Sequence, residues 1–264
     1  MKTMSATRFR DAALSQATRS HGRQALGAGR PARGSLMRRM RVQVLTDPNS
    51  RDFDDFERIL PALPIFEDAF CAIARGMQIS TDRGIVAVED LLPGDAVKLS
   101  DGRFEPLLWK GQTPIHAHAP GQRPEMSRLT RIAADALGIA RPMPDLVLGP
   151  AARLFVRGGR VPRGEDADMT LMPVSALIDG AQVVELTPPG AVPTFHLGFA
   201  GHERITVQGV ELESYHPGAG AVAALGPELR GLFLSLFPHI DGPDGFGPVR
   251  WTRIDEQPED RRIA

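Results

Sequence analysis

Short apolar segments separated by turn-forming residues run through most of this chain, and this pattern limits the possible folds more than any other feature. The 264 residues include 27 glycines and 23 prolines, spread without a repeat. The apolar segments lie at positions 41–45, 77–80, 85–88, 96–99, 107–109, 146–148, 153–156, 183–186, 195–199 and 205–207. Short strands about 8 to 12 residues apart, with turns between them, are typical of a sandwich or barrel. We therefore predict an all-β fold.

Two segments have the apolar spacing of short packing helices. The first would be capped by Ser127, run to residue 137 and end at Gly138. The second would begin with Pro227 at its first position and end before Pro238. Proline suits the first helical position because its missing N–H has no partner there. An apolar stripe at this spacing faces a core more often than a ligand, so we predict that both helices are structural.

Positive charge is concentrated at the N-terminus. Residues 1–41 contain ten lysines and arginines and one acid, whereas the rest of the chain has 21 basic and 31 acidic residues. Residues 1–36 have no apolar run that could offset the entropy of ordering, so we predict a disordered basic leader. Three interpretations stay open: non-specific nucleic-acid binding, a targeting peptide, or a start codon assigned too early at Met1, with Met37 or Met40 as the true start.

Several classes of protein and site are excluded by what the sequence lacks. No apolar run reaches the roughly 18 to 20 residues of a membrane-spanning helix, and no secretory apolar segment follows the basic residues. The single cysteine, Cys71, excludes a disulfide framework, and with no export signal we expect the cytoplasm. His116 and His118 lack the further ligands of a metal site, so we expect neither a metal nor a cofactor.

Three motifs occur in order along the body of the chain. The first reads ARGMQISTDRG and then VAVEDLLPGD within residues 74–95, and the second reads PDLVLGP at 144–150. The third, within 194–215, consists of TFHL, a histidine and GVELESY. Together they resemble the Hint (Hedgehog/intein) domain family, in the bacterial type common in alphaproteobacteria. Three ordered motifs are a more specific signal than any one of them.

The resemblance covers about residues 60–218 and implies a domain organisation. A Hint-like domain with a pseudo-symmetric β fold would span residues 71–218. A lead segment, 37–70, would connect it to the basic leader, and a C-terminal helix and tail would occupy 219–264.

Active Hint domains are self-acting proteases or ligases, so the resemblance implies an attack by cysteine or serine on the carbonyl before it. The family places this nucleophile four residues before the motif glycine, Gly76, where this chain has Ala72. Cys71 lies one residue earlier, and a one-residue shift in a strand turns a side chain to the other face unless a bulge intervenes. The middle-motif histidine falls at Ala152, which cannot transfer a proton. The only asparagine, Asn49, lies far upstream, which excludes intein-type splicing.

Two histidines, His196 and His202, match the closing motif. The residues directly before and after His196 are apolar and share one face of a strand. We therefore expect the His196 side chain to point to the opposite face of that strand. The candidate catalytic residues are therefore Cys71, His196 and His202. A lone histidine in such a place is more often a structural hydrogen-bonding partner than a catalyst.

These observations predict a Hint-domain protein that has lost autoprocessing and acts as a scaffold or as a module that binds a protein or peptide. A cleft that once held the domain's own chain can still hold an extended peptide. The alternative is a self-cleaving enzyme, in which Cys71 attacks the carbonyl of Phe70 while His196 or His202 moves protons. A third hypothesis, ranked below both, is association with nucleic acid through residues 1–41.

Overall fold

The computed structural model describes residues 36–47, 49, 51–157 and 169–254. The predicted basic leader, apart from Leu36, and the end of the predicted C-terminal tail, from residue 255, lie outside the described residues. Within the described part of the chain, sixteen strands form two antiparallel sheets and two short helices accompany them. This architecture confirms the predicted all-β fold class with two short helices.

The elements are numbered in chain order. The strands are β1 (Met37–Asp47), β2 (Asp52–Pro61), β3 (Ile73–Ala74), β4 (Gln78–Thr81), β5 (Gly84–Ala87), β6 (Ala96–Lys98), β7 (Phe104–Pro106), β8 (Trp109–Ile115), β9 (Leu129–Ile132), β10 (Leu146–Leu148), β11 (Arg153–Arg157), β12 (Met169–Pro173), β13 (Val183–Leu186), β14 (Val192–Gly198), β15 (Arg204–Val207) and β16 (Val210–Glu213). The helices are α1 (Pro64–Glu67) and α2 (Pro227–Leu234).

The first sheet has the strand order β13-β9-β10-β3-β14-β8-β1-β2. The second has the order β12-β11-β16-β15-β4-β6-β7, and β5 pairs with β4. The short strand β3 lies in the middle of the first sheet, where Ile73 pairs with Leu148 on one side and Phe195 on the other. The predicted lead segment supplies β1 and β2 to the same sheet, because β1 pairs with β8.

The strand predictions at 146–148, 153–156, 183–186 and 205–207 lie within β10, β11, β13 and β15. The prediction at 107–109 is displaced, because the strand begins only at Trp109 and continues to Ile115. These differences are small shifts of strand ends and do not change the sheet order.

The predicted helix at 127–137 is wrong, because this stretch contains strand β9. Thr130 pairs with Leu148 on one side and Glu185 on the other, so β9 is held between β10 and β13. Leu129 and Ile132, the apolar residues that suggested a helical stripe, are both buried in the strand. Their three-residue spacing fits a helix, but pairing with two neighbouring strands decides the conformation.

The second predicted helix, α2, begins at Pro227 as expected and ends at Leu234. The other helix, α1, lies within the lead segment and was not predicted. Neither is a candidate for a membrane span, since no helix among the described residues combines the necessary length and apolar character.

Residues from both sheets share one large apolar cluster, which we call the intersheet core. It includes Ile73, Leu148 and Phe195 from the first sheet and Ile79, Leu154, Ile205 and Leu212 from the second. Burial of these side chains is the main force that holds the two sheets together.

A second cluster, which we call the aromatic core, joins the segments before and after the predicted domain. Its members include Met40, Val42 and Val44 of β1, Phe66, Phe70, Trp109, Tyr215, Phe233, Phe237 and Phe246. Trp109 stacks on Phe237 with ring centroids 4.7 Å apart, and its Nε1 donates to the carbonyl of Leu236 at 2.7 Å. The lead segment and the C-terminal segment therefore fold together on β8.

Candidate functional site

The two positions predicted to carry the nucleophile lie just before the central strand β3. The N–H of Ala72 donates to the carbonyl of Phe195 at 3.1 Å, and the carbonyl of Ala72 accepts the N–H of Gly149 at 2.8 Å. The carbonyl of Cys71 accepts the N–H of Ala151 at 3.0 Å. The main chain of Cys71 and Ala72 is therefore fixed from both sides, which fixes the direction of each side chain.

The thiol of Cys71 is fully buried in a small apolar cluster, which we call the thiol cluster. Its other members are Ile115, Met126, Leu129 and Ala151. The Sγ atom lies 3.8 Å from Sδ of Met126. Burial raises the pKa of the Cys71 thiol well above its usual value, and the nearby Asp68 carboxylate raises it further. Because the thiolate is the nucleophilic form, these surroundings disfavour attack by the sulfur.

Ala72 and Ala152 occupy the positions that the family resemblance assigns to the nucleophile and the middle histidine. Both are buried, and both belong to the intersheet core rather than to the thiol cluster. Their methyl groups can neither attack a carbonyl nor transfer a proton. The space that a catalytic pair would need is filled by packed apolar side chains, and larger groups placed there would overpack the core.

His196 projects from β14 on the face opposite to Phe195 and Leu197, which lie in the intersheet core. Its Nδ1 lies 3.0 Å from the carbonyl oxygen of Asp68, so Nδ1 carries the proton and donates it. Its ring meets the ring of Tyr215 edge-on at 5.1 Å. Burial lowers the pKa of His196 to about 4, although the hydrogen bond to Asp68 opposes this effect. The side chain is a buried, neutral hydrogen-bond donor.

His202 forms a buried pair with Glu213 at the end of β16. Nε2 of His202 lies 2.7 Å from Oε1 of Glu213, and the N–H of Arg250 donates to Nδ1 of His202 at 3.2 Å. The proton is therefore on Nε2, which donates to the carboxylate. Burial alone would raise the pKa of Glu213, but the bond from His202 and the charge of Arg253 hold it below its usual value. Both ring nitrogens of His202 are thus engaged.

The three predicted catalytic side chains do not meet. In the described ranges, no hydrogen bond or ion pair joins Cys71 to His196 or His202, which instead contact the main chain of Asp68 and the Glu213 carboxylate. Neither histidine is placed to take a proton from the thiol. Across the same ranges, no group of three or more His, Cys, Asp or Glu side chains could hold a metal ion.

His202 forms a cluster with two charged residues, Glu213 and Arg253, that are not among the candidates that the sequence predicts. Glu213 follows Glu211 in an alternating strand, and the pattern would place both at the surface. Only Glu213 is buried, because the charge of Arg253 offsets its own and both Arg253 and His202 donate hydrogen bonds to it. The only sequence signal was a charged residue inside the closing motif, and its cationic partner lies forty residues further on.

A comparison with protein-family profiles identifies the family of this chain. The family profile of the Hint domain matches residues 71–219, which is more than half of the chain. Among solved structures, the chain is similar to a splice-inactive variant of the AceL NrdHF class 3 split intein. The two are 10% identical, with a TM-score of 0.34, and the overlap covers 55% of this chain and 98% of that one. No curated protein matches the chain. On the strength of the profile match, the chain belongs to the Hint domain family.

Proposed function

We propose that this Hint domain does not cut its own chain and acts instead as a module that binds an extended peptide of a partner protein. The observation that supports the absence of self-cleavage is the burial of Ala72 and Ala152 in the intersheet core. The two positions at which the family would hold its nucleophile and its middle histidine are here part of the apolar packing between the sheets.

The packing of the lead segment supports the same proposal. Cleavage between Phe70 and Cys71 would free the preceding residues only if they separated from the domain. Phe70 is fully buried against Trp109, with ring centroids 5.4 Å apart, and β1 pairs with β8. The segment that autoproteolysis would release is therefore part of a folded core, so it is poorly suited as a product.

The second candidate function is self-cleavage with Cys71 as the nucleophile. One contact favours it: the hydroxyl of Thr194 lies 3.3 Å from the carbonyl oxygen of Phe70, the group that would be attacked. The same hydroxyl lies closer to the carbonyl of Thr113, at 2.8 Å. Because a hydroxyl has one proton to donate, the shorter contact takes it, and little polarisation of Phe70 is left.

Intact-mass spectrometry of the purified full-length protein tests the proposal, with and without a thiol reductant over several days. We expect one mass, that of the whole chain, for the wild type and for the Cys71→Ala control. Fragments divided between Phe70 and Cys71 in the wild type, but absent in Cys71→Ala, would establish the second candidate and overturn the first. The reduced, buried thiol suits a reducing compartment, so the proposal places the protein in the cytoplasm.

A further inference from the structure

The C-terminal segment of residues 250–254 lies against the second sheet as an added strand. The N–H of Leu171 donates to the carbonyl of Thr252, and the N–H of Ile254 donates to the carbonyl of Leu171, both at 2.9 Å. Leu171 and Arg253 form a parallel bridge. Because β12 is the end strand among the described strands of this sheet, the segment pairs with the edge of the sheet. This is the arrangement by which sheet edges capture extended peptides.

Alternate side chains of the segment enter the protein as two anchors. Trp251 and Arg253 are two residues apart, so in extended chain they project from the same face. The Trp251 ring meets the ring of Phe155 at 4.9 Å and that of His202 at 4.8 Å, both nearly edge-on. Thr252, between them, is exposed.

Arg253 is held by groups that are specific for a guanidinium. Its Nε donates to Oε1 of Glu213 at 2.8 Å, and its Nη2 donates to the carbonyl of His216 at 2.7 Å. Glu213 is 5% exposed, and Arg153, a further cation, lies 3.9 Å from its Oε2. The buried carboxylate is therefore stabilised by the shorter bonds from Arg253. The single ammonium group of a lysine could not donate to both the Glu213 carboxylate and the His216 carbonyl in this geometry, as the planar guanidinium does.

Arg250 adds a third contact at the start of the segment. Its N–H donates to Nδ1 of His202, and its guanidinium lies 3.2 Å and 3.3 Å from the two carboxylate oxygens of Glu203. His202 therefore touches the segment twice, through this bond and through the ring of Trp251. His202, one of the two histidines that match the closing motif of the Hint family, is here part of the wall that contacts the extended segment.

We propose that the groove formed by Leu171, Phe155, His202 and Glu213 is an acceptor for extended peptides that carry an aromatic residue two positions before an arginine. In the structure, residues 250–254 occupy it as the chain's own ligand, so a partner must displace them. This inference rests on the proposed binding function and names its site, its ligand chemistry and its regulation. Main-chain hydrogen bonds to Leu171 supply affinity. Contacts with the rings of Phe155 and His202 and with the buried Glu213 carboxylate supply selectivity.

The first experiment uses the full-length protein with Trp251→Ala and Arg253→Ala, which removes both anchors, and a fluorescent synthetic peptide of sequence PVRWTRI. We expect the double variant to bind the peptide at least about tenfold more tightly than the wild type, whose groove is already occupied. The Thr252→Ala variant is the matched control and should bind as the wild type does, because that side chain is exposed.

Peptide selectivity is tested with a second peptide, in which alanine replaces the arginine that corresponds to Arg253. Its affinity for the double variant should fall by about tenfold or more, since hydrogen bonds to charged groups are lost. Equal binding of both peptides would overturn the proposal. So would the absence of binding to a double variant that retains the wild-type circular dichroism and a cooperative melting transition.

Hydrogen exchange of the wild type keeps the inference testable even if the double variant fails to fold. A displaceable segment exposes the amides of Leu171 and Ile254 by local opening, so they should exchange at least about 100-fold faster than the amide of Tyr215, which bonds the carbonyl of Leu197 inside the fold. Equal rates for all three amides would show that the segment leaves only on global unfolding, which would contradict the proposal.

Intact masses of the same samples separate the two proposals. Fragments that end at Phe70 would refute the proposed function whatever the peptide does. A whole chain that fails to bind PVRWTRI would refute only this groove and leave the non-cleaving Hint domain in place.

Discussion

Cys71 and Ala72 are neighbours in the chain, yet their side chains lie in two different apolar clusters. Cys71 packs with Met126 in the thiol cluster, whereas Ala72 packs in the intersheet core. Hydrogen bonds to Ala151, Gly149 and Phe195 fix the main chain between them. No bulge carries the Cys71 thiol to the face where a residue at position 72 points. The one-residue offset between the cysteine and the family position therefore supports the proposal that autoprocessing has been lost.

We predict that the thiol of Cys71 does not react in the folded protein. Burial raises its pKa, and its surface is fully covered, so neither thiolate nor access is available. Labelling with a chromogenic disulfide reagent at pH 8 should be at least about 100-fold slower in native buffer than in denaturant. The Cys71→Ala variant controls for any reaction elsewhere. Stoichiometric labelling within minutes in native buffer would contradict this expectation.

A second prediction concerns Glu67, which anchors helix α1. Its fully buried carboxylate bonds Arg38 of β1 and accepts from Nε of Arg123 at 2.7 Å. Glu67→Gln would leave the buried Arg38 guanidinium without its carboxylate partner, whereas Arg123 would keep its ion pair with Asp68. We expect the free energy of unfolding to fall by about 3 to 5 kcal/mol. Chemical denaturation followed by tryptophan fluorescence would measure it.

The matched control for Glu67→Gln is Glu57→Gln. Glu57 lies 3.7 Å from Arg39, and both side chains are more than half exposed. Exposed pairs contribute little, so the loss should stay below about 1 kcal/mol. Similar losses in the two variants would show that the buried network does not anchor the lead segment.

The fold class could be predicted because strand length and turn spacing are local properties of the sequence. Strands such as Leu146–Leu148 and Val183–Leu186 are found where the alternating segments indicate them. The helix expected at 127–137 failed because apolar residues three apart fit a helix and also a strand such as β9, which is buried on both faces at Leu129 and Thr130. Only the distant strands β10 and β13 decide between them.

The candidate site was harder to predict from the sequence, because its contacts join distant parts of the chain. Alternation predicts that His196 lies on the strand face opposite to its apolar neighbours. It does not identify the hydrogen-bond partner of His196, the carbonyl of Asp68, which is 128 residues away. The same holds for Glu213 and Arg253. Ala72 and Ala152 were recognised as departures from the family pattern, whereas their burial in one shared core is a property of the folded protein alone.

A third prediction concerns pH. The pKa of His196 is about 4 in the fold and about 6.5 in an unfolded chain. Between these values the unfolded chain binds more protons than the folded one, so stability rises with pH from 4 to 6.5 and is lost on acidification through the same range. The full contribution of His196 is on the order of 3 kcal/mol.

Urea denaturation at half-unit steps between pH 4 and 7 would measure this slope. Burial also lowers the pKa of His239 to about 4, and the pKa of His216 lies below its usual value, so both contribute in the same direction. His196→Gln should therefore reduce the slope without abolishing it, and the double variant with His239→Gln should reduce it further. An unchanged slope in His196→Gln would mean that the ring is not buried as a neutral group.

The last prediction tests how tightly the chain at Cys71 is clamped between β10 and β14. A Cβ atom added at Gly149 would lie 2.2 Å from the carbonyl oxygen of Cys71, which is main chain and cannot rotate away. Gly149→Ala should therefore cost about 1 to 3 kcal/mol of unfolding free energy through forced backbone shifts. Gly190→Ala is the control, because nothing lies within 4 Å of a Cβ there, and its stability should change by less than about 1 kcal/mol. If Gly149→Ala were as stable as the control, the segment of Cys71 and Ala72 before β3 would be free to shift, and a re-registered cysteine could reach the Phe70 carbonyl.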